Sequence, residues 1–228
     1  MEIDSDIIIV GGGLNGSLLA IAAAKIGFST IVLDSKGNHR DELNSFDGRS
    51  YALAASSVRL LKNLDIFEDI RGCSQPILDI EILDGKLVQG PSQFSLHFDN
   101  NEIHDGPMGY MVEDRFIQKT LFAQILATNQ IDYKFDSKVT EHYQQGSYIS
   151  VQLDDGQKLR TRLVVGADGR NSNIAKRAKI KKSGWRYKQN ALACAIEHEI
   201  DHKGLAWQYF LPSGPLAILP MTGNRSSI

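Results

Sequence analysis

The apolar residues of this chain change period several times, and each change marks an element. Ile7–Val10 form a short β-branched run that stops at a cluster of glycines, which predicts a buried strand. Helical spacing then runs over about Asn15–Ile26, with Gly27 placed to end the helix, and a second short strand is predicted at Thr30–Leu33. Val58, Leu61 and Leu64 recur at helical spacing and predict a helix over Ser57–Leu64. The middle of the chain reads as strands at Asp79–Leu83, Phe94–Phe98 and Gly109–Val112. A helix over about Asp114–Thr128 follows, with Phe116, Ile117, Leu121 and Ile125 on one face. Short strands are predicted at Ile131–Phe135, Lys138–Tyr143 and Tyr148–Leu153, with Asp155-Gly156 as a hairpin signal. Leu163–Gly166 reads as a strand ending in Ala167-Asp168-Gly169, before a short helix from Ser172.

Beyond Tyr187 the texture is period two. Leu192, Cys194, Ile196, His198 and Ile200 alternate with Ala193, Ala195, Glu197 and Glu199, which predicts a half-buried antiparallel strand. Ala206–Leu211 and Leu216–Pro220 continue that sheet, and the last residues, Gly223–Ile228, read as a turn entering a strand. The pattern therefore predicts an α/β domain over residues 1–75 and 110–183. A second layer of antiparallel sheet is expected over 76–109 and 184–228.

The glycines after the first strand give this outline its chemistry. Gly11, Gly13 and Gly16 form G-x-G-x-x-G between a strand and a helix. Such a turn lets a pyrophosphate approach the backbone at the helix N-terminus, where unpaired N–H groups and the positive dipole end face it. Asp34 closes the second predicted strand, where a carboxylate can accept the hydroxyls of an adenosine ribose. These features make a dinucleotide-binding, Rossmann-like unit, but they do not by themselves separate NAD from FAD. The position of the motif at the N-terminus, and the downstream run Val164-Val165-Gly166-Ala167-Asp168-Gly169-Arg170, favour FAD. Asp168-Gly169 reads equally well as a second phosphate or ribose contact and as a turn leading into a helix N-cap.

Composition narrows the remaining classes. With 42% hydrophobic and 23% charged residues the chain can bury a core, and a net charge of −2 gives no general attraction to nucleic acid. Cys73 and Cys194, far apart and outside any C-x-x-C, read as small buried residues of a reducing, intracellular compartment. No apolar run approaches the roughly 20 residues of a spanning helix.

Beyond these physical signals, four segments resemble the flavin-dependent aromatic hydroxylases that include para-hydroxybenzoate hydroxylase. They are the N-terminal glycine motif, Asp47–Leu53, Gly109–Leu121 and Gly166–Ser172. Within that class, FDGRSYALAASSVRLLKNLDIFEDI, SQPILDIEILDG, GYMVEDRF and AWQYFLPSGPLAILPM look most like the ubiquinone-biosynthesis hydroxylases. The resemblance implies FAD as cofactor, NAD(P)H as co-substrate without a second Rossmann domain, and hydroxylation of a phenolic or prenylated quinone precursor with O₂. It implies that Gly11, Gly13 and Gly16 hold the pyrophosphate and Asp34 the ribose. Arg49 would lie near flavin or pyrophosphate, and Arg115, or its neighbours Glu113 and Asp114, beside the FAD. Val139 would contact adenine through its backbone, while Asp168 and Gly169 would serve FAD and nicotinamide contacts. The acidic start Met1–Asp6 carries no secretory signal, which predicts a cytoplasmic protein, and a lipophilic precursor implies peripheral membrane or biosynthetic-complex association. No catalytic acid–base pair is expected, because the cofactor carries the reaction.

One segment of the resemblance is missing. The family's later Gly-Asp-Ala-Ala-His-type sequence, which holds the flavin end, does not occur. The expectation is a chain truncated at its C-terminus: the front part of a hydroxylase, or else an inactive nucleotide-binding remnant.

Three further signals are weaker. His198-Glu199-Ile200-Asp201-His202 matches the zinc-protease pattern H-E-x-x-H. On an extended strand, however, its histidines would lie about 13 Å apart, and no acidic, His or Cys residue follows His202. Lys176, Arg177, Lys179, Lys181 and Lys182 form a basic cluster that suits a helix C-terminus. Trp185, Trp207, Tyr209 and Phe210 read as core or sheet packing.

Overall fold

A computed structural model describes residues 3–37, 43–86, 90–102 and 106–228, without the side chains of residues 91 and 93. In chain order the first elements are strand β1 (Ser5–Val10), helix α1 (Leu14–Lys25), β2 (Thr30–Leu33), β3 (Ser50–Ala54), α2 (Ala55–Asn63) and α3 (Phe67–Arg71). Next come β4 (Ser74–Ile77), β5 (Asp79–Lys86), β6 (Gly90–Asp99), β7 (Gly109–Glu113), α4 (Asp114–Ala127) and β8 (Ile131–Lys134). The remainder is β9 (Val139–Gln145), β10 (Tyr148–Leu153), β11 (Lys158–Gly166), α5 (Asn173–Arg177), β12 (Ala195–Glu197), β13 (Leu205–Leu211), β14 (Gly214–Met221) and β15 (Arg225–Ser227).

The chain divides into two compact units, residues 1–44 with 118–187 and residues 45–117 with 188–228. These boundaries differ from those expected, because 45–75 and 110–117 cluster with the second unit. The reason is strand pairing: β7 takes β3 on one side (Ser50↔Glu113) and β4 on the other (Ser74↔Val112), so all three must stay together.

The first unit holds a six-stranded sheet in the order β8-β2-β1-β11-β10-β9. Its centre is parallel: Ile8 is registered with Ile31 on one side and with Val164 on the other. Burial on both faces explains the unbroken apolar composition of β1 and β2, where Ile8, Ile9, Val32 and Leu33 are fully buried. Beyond β11 the pairing turns antiparallel through β10 and β9, and Val139, Val151, Leu153 and Leu159 close the core with Ile174 of α5. Helix α1 presents small residues to its neighbours, with Gly16, Ser17, Ala20, Ala23 and Ala24 buried. It ends in a Schellman turn: Gly27, at φ +95°, donates to the Ala24 carbonyl and Phe28 N–H donates to that of Ala23.

The second unit holds the sheet β12-β15-β14-β13-β5-β6 and the three-stranded sheet β3-β7-β4. The larger sheet is not wholly antiparallel, as expected from sequence, since β13 runs parallel to β5 from Leu205↔Asp79 to Phe210↔Asp84. Ile77, Met111 and Ala206 are buried together with Ile80 and Leu219 against them, and Phe67 meets Tyr110 edge-on at 5.0 Å.

The expected long strand around Leu192–Ile200 shrinks to β12, because its partner β15 offers only Ala195↔Ser227 to Glu197↔Arg225. Leu192 and Ile200 are exposed accordingly. Neither cysteine is buried: Cys73 is half-buried and Cys194 exposed. Trp185 is likewise 79% exposed rather than core.

Candidate functional site

The ends of three adjacent parallel strands converge in the first unit, at the edge where α/β sheets take ligands. Gly11 follows β1, Asp34 follows β2, and Ala167-Asp168 follows β11. Backbone bonds tie these ends together: Gly11 N–H donates to the Leu33 carbonyl at 2.8 Å, and Ala167 N–H to that of Val10 at 2.7 Å.

The glycines have separate reasons to be glycine. Gly11 has φ +105°, and a β-carbon there would strike the Ala167–Asp168 backbone, lying 2.8 Å from Asp168 N. A β-carbon on Gly16 would overlap the Gly11 carbonyl and approach the Ala167 methyl at 3.3 Å, so this position lets α1 dock on the loop. Gly13 is exposed, and a β-carbon there would meet nothing within 4 Å. It is the N-cap of α1, and that first turn has neither a side-chain cap nor an acidic residue. Its N–H groups and positive dipole end are therefore left for an anion.

Asp34 is held at both oxygens. Oδ1 accepts Lys36 N–H at 3.0 Å and Oδ2 accepts the Tyr133 phenol at 2.9 Å. Sequence reasoning missed Tyr133, whose hydroxyl also lies 3.4 Å from the Gly12 carbonyl oxygen. Burial, followed by the charge and hydrogen bond of Asp34, pushes that phenol well above its ordinary range, so it stays protonated and donates.

Asp168 serves as part of the cap of α5. Its Oδ2 accepts Asn173 N–H at 2.7 Å and Ile174 N–H at 3.2 Å, while Ser172 Oγ accepts Ala175 N–H. Its Oδ1 is buried with no hydrogen-bond partner among the described residues, which leaves an acceptor for a ligand donor. Burial raises the Asp168 carboxyl, but the Ser172 hydroxyl and the N–H groups of Ile174 and Asn173 outweigh it and hold the pKa below normal. Gly169, at φ +82°, makes the turn that returns the chain to α5. The Val139 carbonyl accepts Arg177 Nη1 at 3.1 Å, which gives one member of the basic cluster a fixed partner.

Arg49, Glu113, Asp114 and Arg115 belong to the second unit and form a cluster of their own. The Arg49 guanidinium bridges Asp47 at 2.6 Å and Asp114 at 3.0 Å, and it remains 58% exposed. Glu113 and Asp114 are buried. Glu113 accepts Arg115 Nε at 2.6 Å and Arg225 Nη2 at 2.8 Å, so Arg225 is a second residue that sequence reasoning missed. The structure thus brings Gly11, Gly13, Gly16, Asp34, Val139, Asp168 and Gly169 into the first unit, and Arg49 with Arg115 into the second.

The H-E-x-x-H histidines do not lie about 13 Å apart. The chain turns after β12, and the two rings meet edge-on at 5.9 Å. His198 bonds Ser226 Oγ, and His202 bonds the carbonyls of Met221 and Gly223, so both brace the β14–β15 turn. Among the described residues no three His, Cys, Asp or Glu side chains cluster as metal ligands.

A dinucleotide fits the first unit on three local observations: the open, uncapped start of α1 at Gly13, the oriented carboxylate of Asp34, and the spare buried oxygen of Asp168. Comparison with known proteins agrees. The chain is 40% identical to the ubiquinone hydroxylase UbiL of Rhodospirillum rubrum, over 98% of this chain and 51% of that one. It is 29% identical to the 3-demethoxyubiquinol 3-hydroxylase of Escherichia coli, over 98% of this chain and 56% of that one. The chain thus spans about half the length of the curated relatives it matches. In fold it resembles PqsL, a probable FAD-dependent monooxygenase from Pseudomonas aeruginosa, with a TM-score of 0.82 at 17% identity, covering 98% of this chain and 59% of that one. The family described as FAD binding domain matches residues 4–227, nearly the whole sequence, and the chain belongs to that family.

Proposed function

We infer that this chain is the FAD-holding part of an NAD(P)H-dependent monooxygenase that hydroxylates the ring of a phenolic, prenylated ubiquinone precursor. The observation that carries this reading is the 40% identity to a ubiquinone hydroxylase across 98% of the chain.

When bound, FAD supplies the electron-transfer and oxygen-transfer chemistry of the reaction. The residues of this chain bind and orient. The N–H groups opening α1 at Gly13 face the pyrophosphate, with Gly11 and Gly16 shaping the turn beneath it. Asp34 accepts the ribose hydroxyls, and the backbone of Val139 serves the adenine. The free Asp168 oxygen, with Gly169 beside it, serves the remaining polar groups of FAD or nicotinamide. Arg49 and Arg115, each paired with a carboxylate, are the second unit's candidates for contacts to FAD. In the second unit a cavity of about 310 Å³ is lined by Ala55, Ile80, Ile82, Phe98, Pro107 and Met108, surroundings that suit a lipophilic ring better than a charged one. Among the described residues no helix is long and apolar enough to cross a membrane. Peripheral contact at the inner face of a membrane is the association that a prenylated substrate favours.

The test starts with the purified chain and added FAD. Flavin absorption that survives gel filtration supports the cofactor assignment. Substrate-dependent NAD(P)H oxidation and a hydroxylated phenol, measured on the protein as it occurs in the cell, support the activity. Folded protein, prepared as it occurs in the cell, that ignores FAD overturns the reading.

A further inference from the structure

We propose that Tyr133 is a positioning residue for the nucleotide: its phenol sets the Asp34 carboxylate in the orientation that accepts ribose hydroxyls, and Gly12 lacks a side chain in order to admit it. This rests on the FAD reading above.

Asp34 sits just past β2, and Tyr133 lies on β8 directly beside it, with Val32 as its registered partner. The Tyr133 ring is fixed from the side by Phe135 at 4.7 Å and by Phe122 at 5.8 Å in an edge-on contact. From that fixed ring the hydroxyl reaches Asp34 Oδ2 at 2.9 Å, while Lys36 N–H holds Oδ1 at 3.0 Å. A carboxylate with one donor on each oxygen cannot rotate about its Cβ–Cγ bond without breaking a bond. Each oxygen still keeps a lone pair for a ribose hydroxyl. Burial and the neighbouring Asp34 carboxylate raise the phenol well above its ordinary range, so it stays protonated and the arrangement holds across the physiological range.

The glycine motif requires nothing of its second position, yet this chain has glycine there. The structure supplies the reason. A β-carbon on Gly12 would overlap the Tyr133 hydroxyl, and it would lie 2.6 Å from both Tyr133 Cζ and Asp34 Oδ2. Gly12, Asp34 and Tyr133 are thus one constellation drawn from three strand ends.

The test compares binding of ADP with that of an ADP analogue lacking the 2′ and 3′ hydroxyls, to the full chain and to Tyr133→Phe. Phenylalanine keeps the aromatic packing and removes only the donor. For the unsubstituted chain, losing the ribose hydroxyls should weaken binding roughly tenfold, the scale of a hydrogen bond to a charged group. In Tyr133→Phe, ADP should bind roughly tenfold more weakly and the analogue about as before, so the dependence on the hydroxyls collapses. In an Asp34→Ala background, Tyr133→Phe should have no further effect, which a merely structural tyrosine would not show. Full hydroxyl dependence in Tyr133→Phe overturns the inference and leaves FAD binding intact. Failure of the unsubstituted chain to bind either ADP or FAD overturns the nucleotide reading as well.

Discussion

Gly16 lies under the carbonyl of Gly11, so close that a β-carbon on Gly16 would overlap the Gly11 oxygen. The third glycine of the motif is therefore a packing residue, while Gly13, where a β-carbon would meet nothing within 4 Å, is the one free to face a ligand. Two roles that a sequence motif merges are separable by substitution.

Gly13→Ala should fold with a stability within about 1 kcal/mol of the parent, since φ −67° suits alanine, yet bind FAD distinctly more weakly. Gly11→Ala should lose more than about 1 kcal/mol, because alanine at φ +105° is strained and meets the Ala167–Asp168 backbone. Urea unfolding with FAD titration checks both. Equal urea midpoints for the two variants would contradict the assignment.

His142 predicts a pH dependence near neutrality. Burial, with the charge of Arg177 adding to it, holds its imidazole below the ordinary histidine value of about 6.5. A folded pKa lower than the unfolded one means that folding disfavours the proton. The contribution to stability is full above about pH 6.5 and is lost as pH falls through the folded value. Urea midpoints at several pH values between about 7.5 and 5.5 should decline in the parent, and Tyr or Gln at position 142 should flatten that decline.

Asp168 governs the acid limb. Its folded pKa is depressed, so its contribution is present above the ordinary aspartate value of about 3.9 and disappears as pH falls through the lower, folded one. Asp168→Ala should be less stable than the parent at neutral pH and should converge on it in acid. Parallel pH profiles for the two proteins would show that the α5 cap contributes nothing.

The Glu113 carboxylate is only 3% exposed and is held by Arg115 and Arg225 together. Arg225→Met should cost about 1–3 kcal/mol, because one oxygen of a buried charge loses its charged donor. An unchanged urea midpoint would mean that solvent already screens the pair, as at exposed salt bridges.

The sequence disclosed what is local. β2 and β10 match their predicted limits, and the Gly11–Asp34 loop needs only a strand, a turn and a helix to be recognised. It concealed what depends on distant partners. β4 contains Pro76, which reads as a breaker, yet it pairs with β7 at Pro76↔Tyr110. The alternation around Ile196 promised a long strand, but alternation cannot supply a partner, and β15 is only three residues long. Tyr133 looked like any strand aromatic; the visible clue was the extra glycine at 12. Arg225 had no local signal, since its partner Glu113 belongs to another stretch of the chain.

The order of strands has a consequence for synthesis. β1 gains its first neighbour, β2, almost at once, but its other edge waits for β11, where Ser5 meets Thr161. β5 in turn waits for β13. A nascent chain halted near residue 150 would carry an open β1 edge rich in isoleucine, a template for pairing with other chains. Ribosome-stalled fragments of this protein should therefore recruit chaperones until β11 emerges, and release them once that strand has closed the sheet.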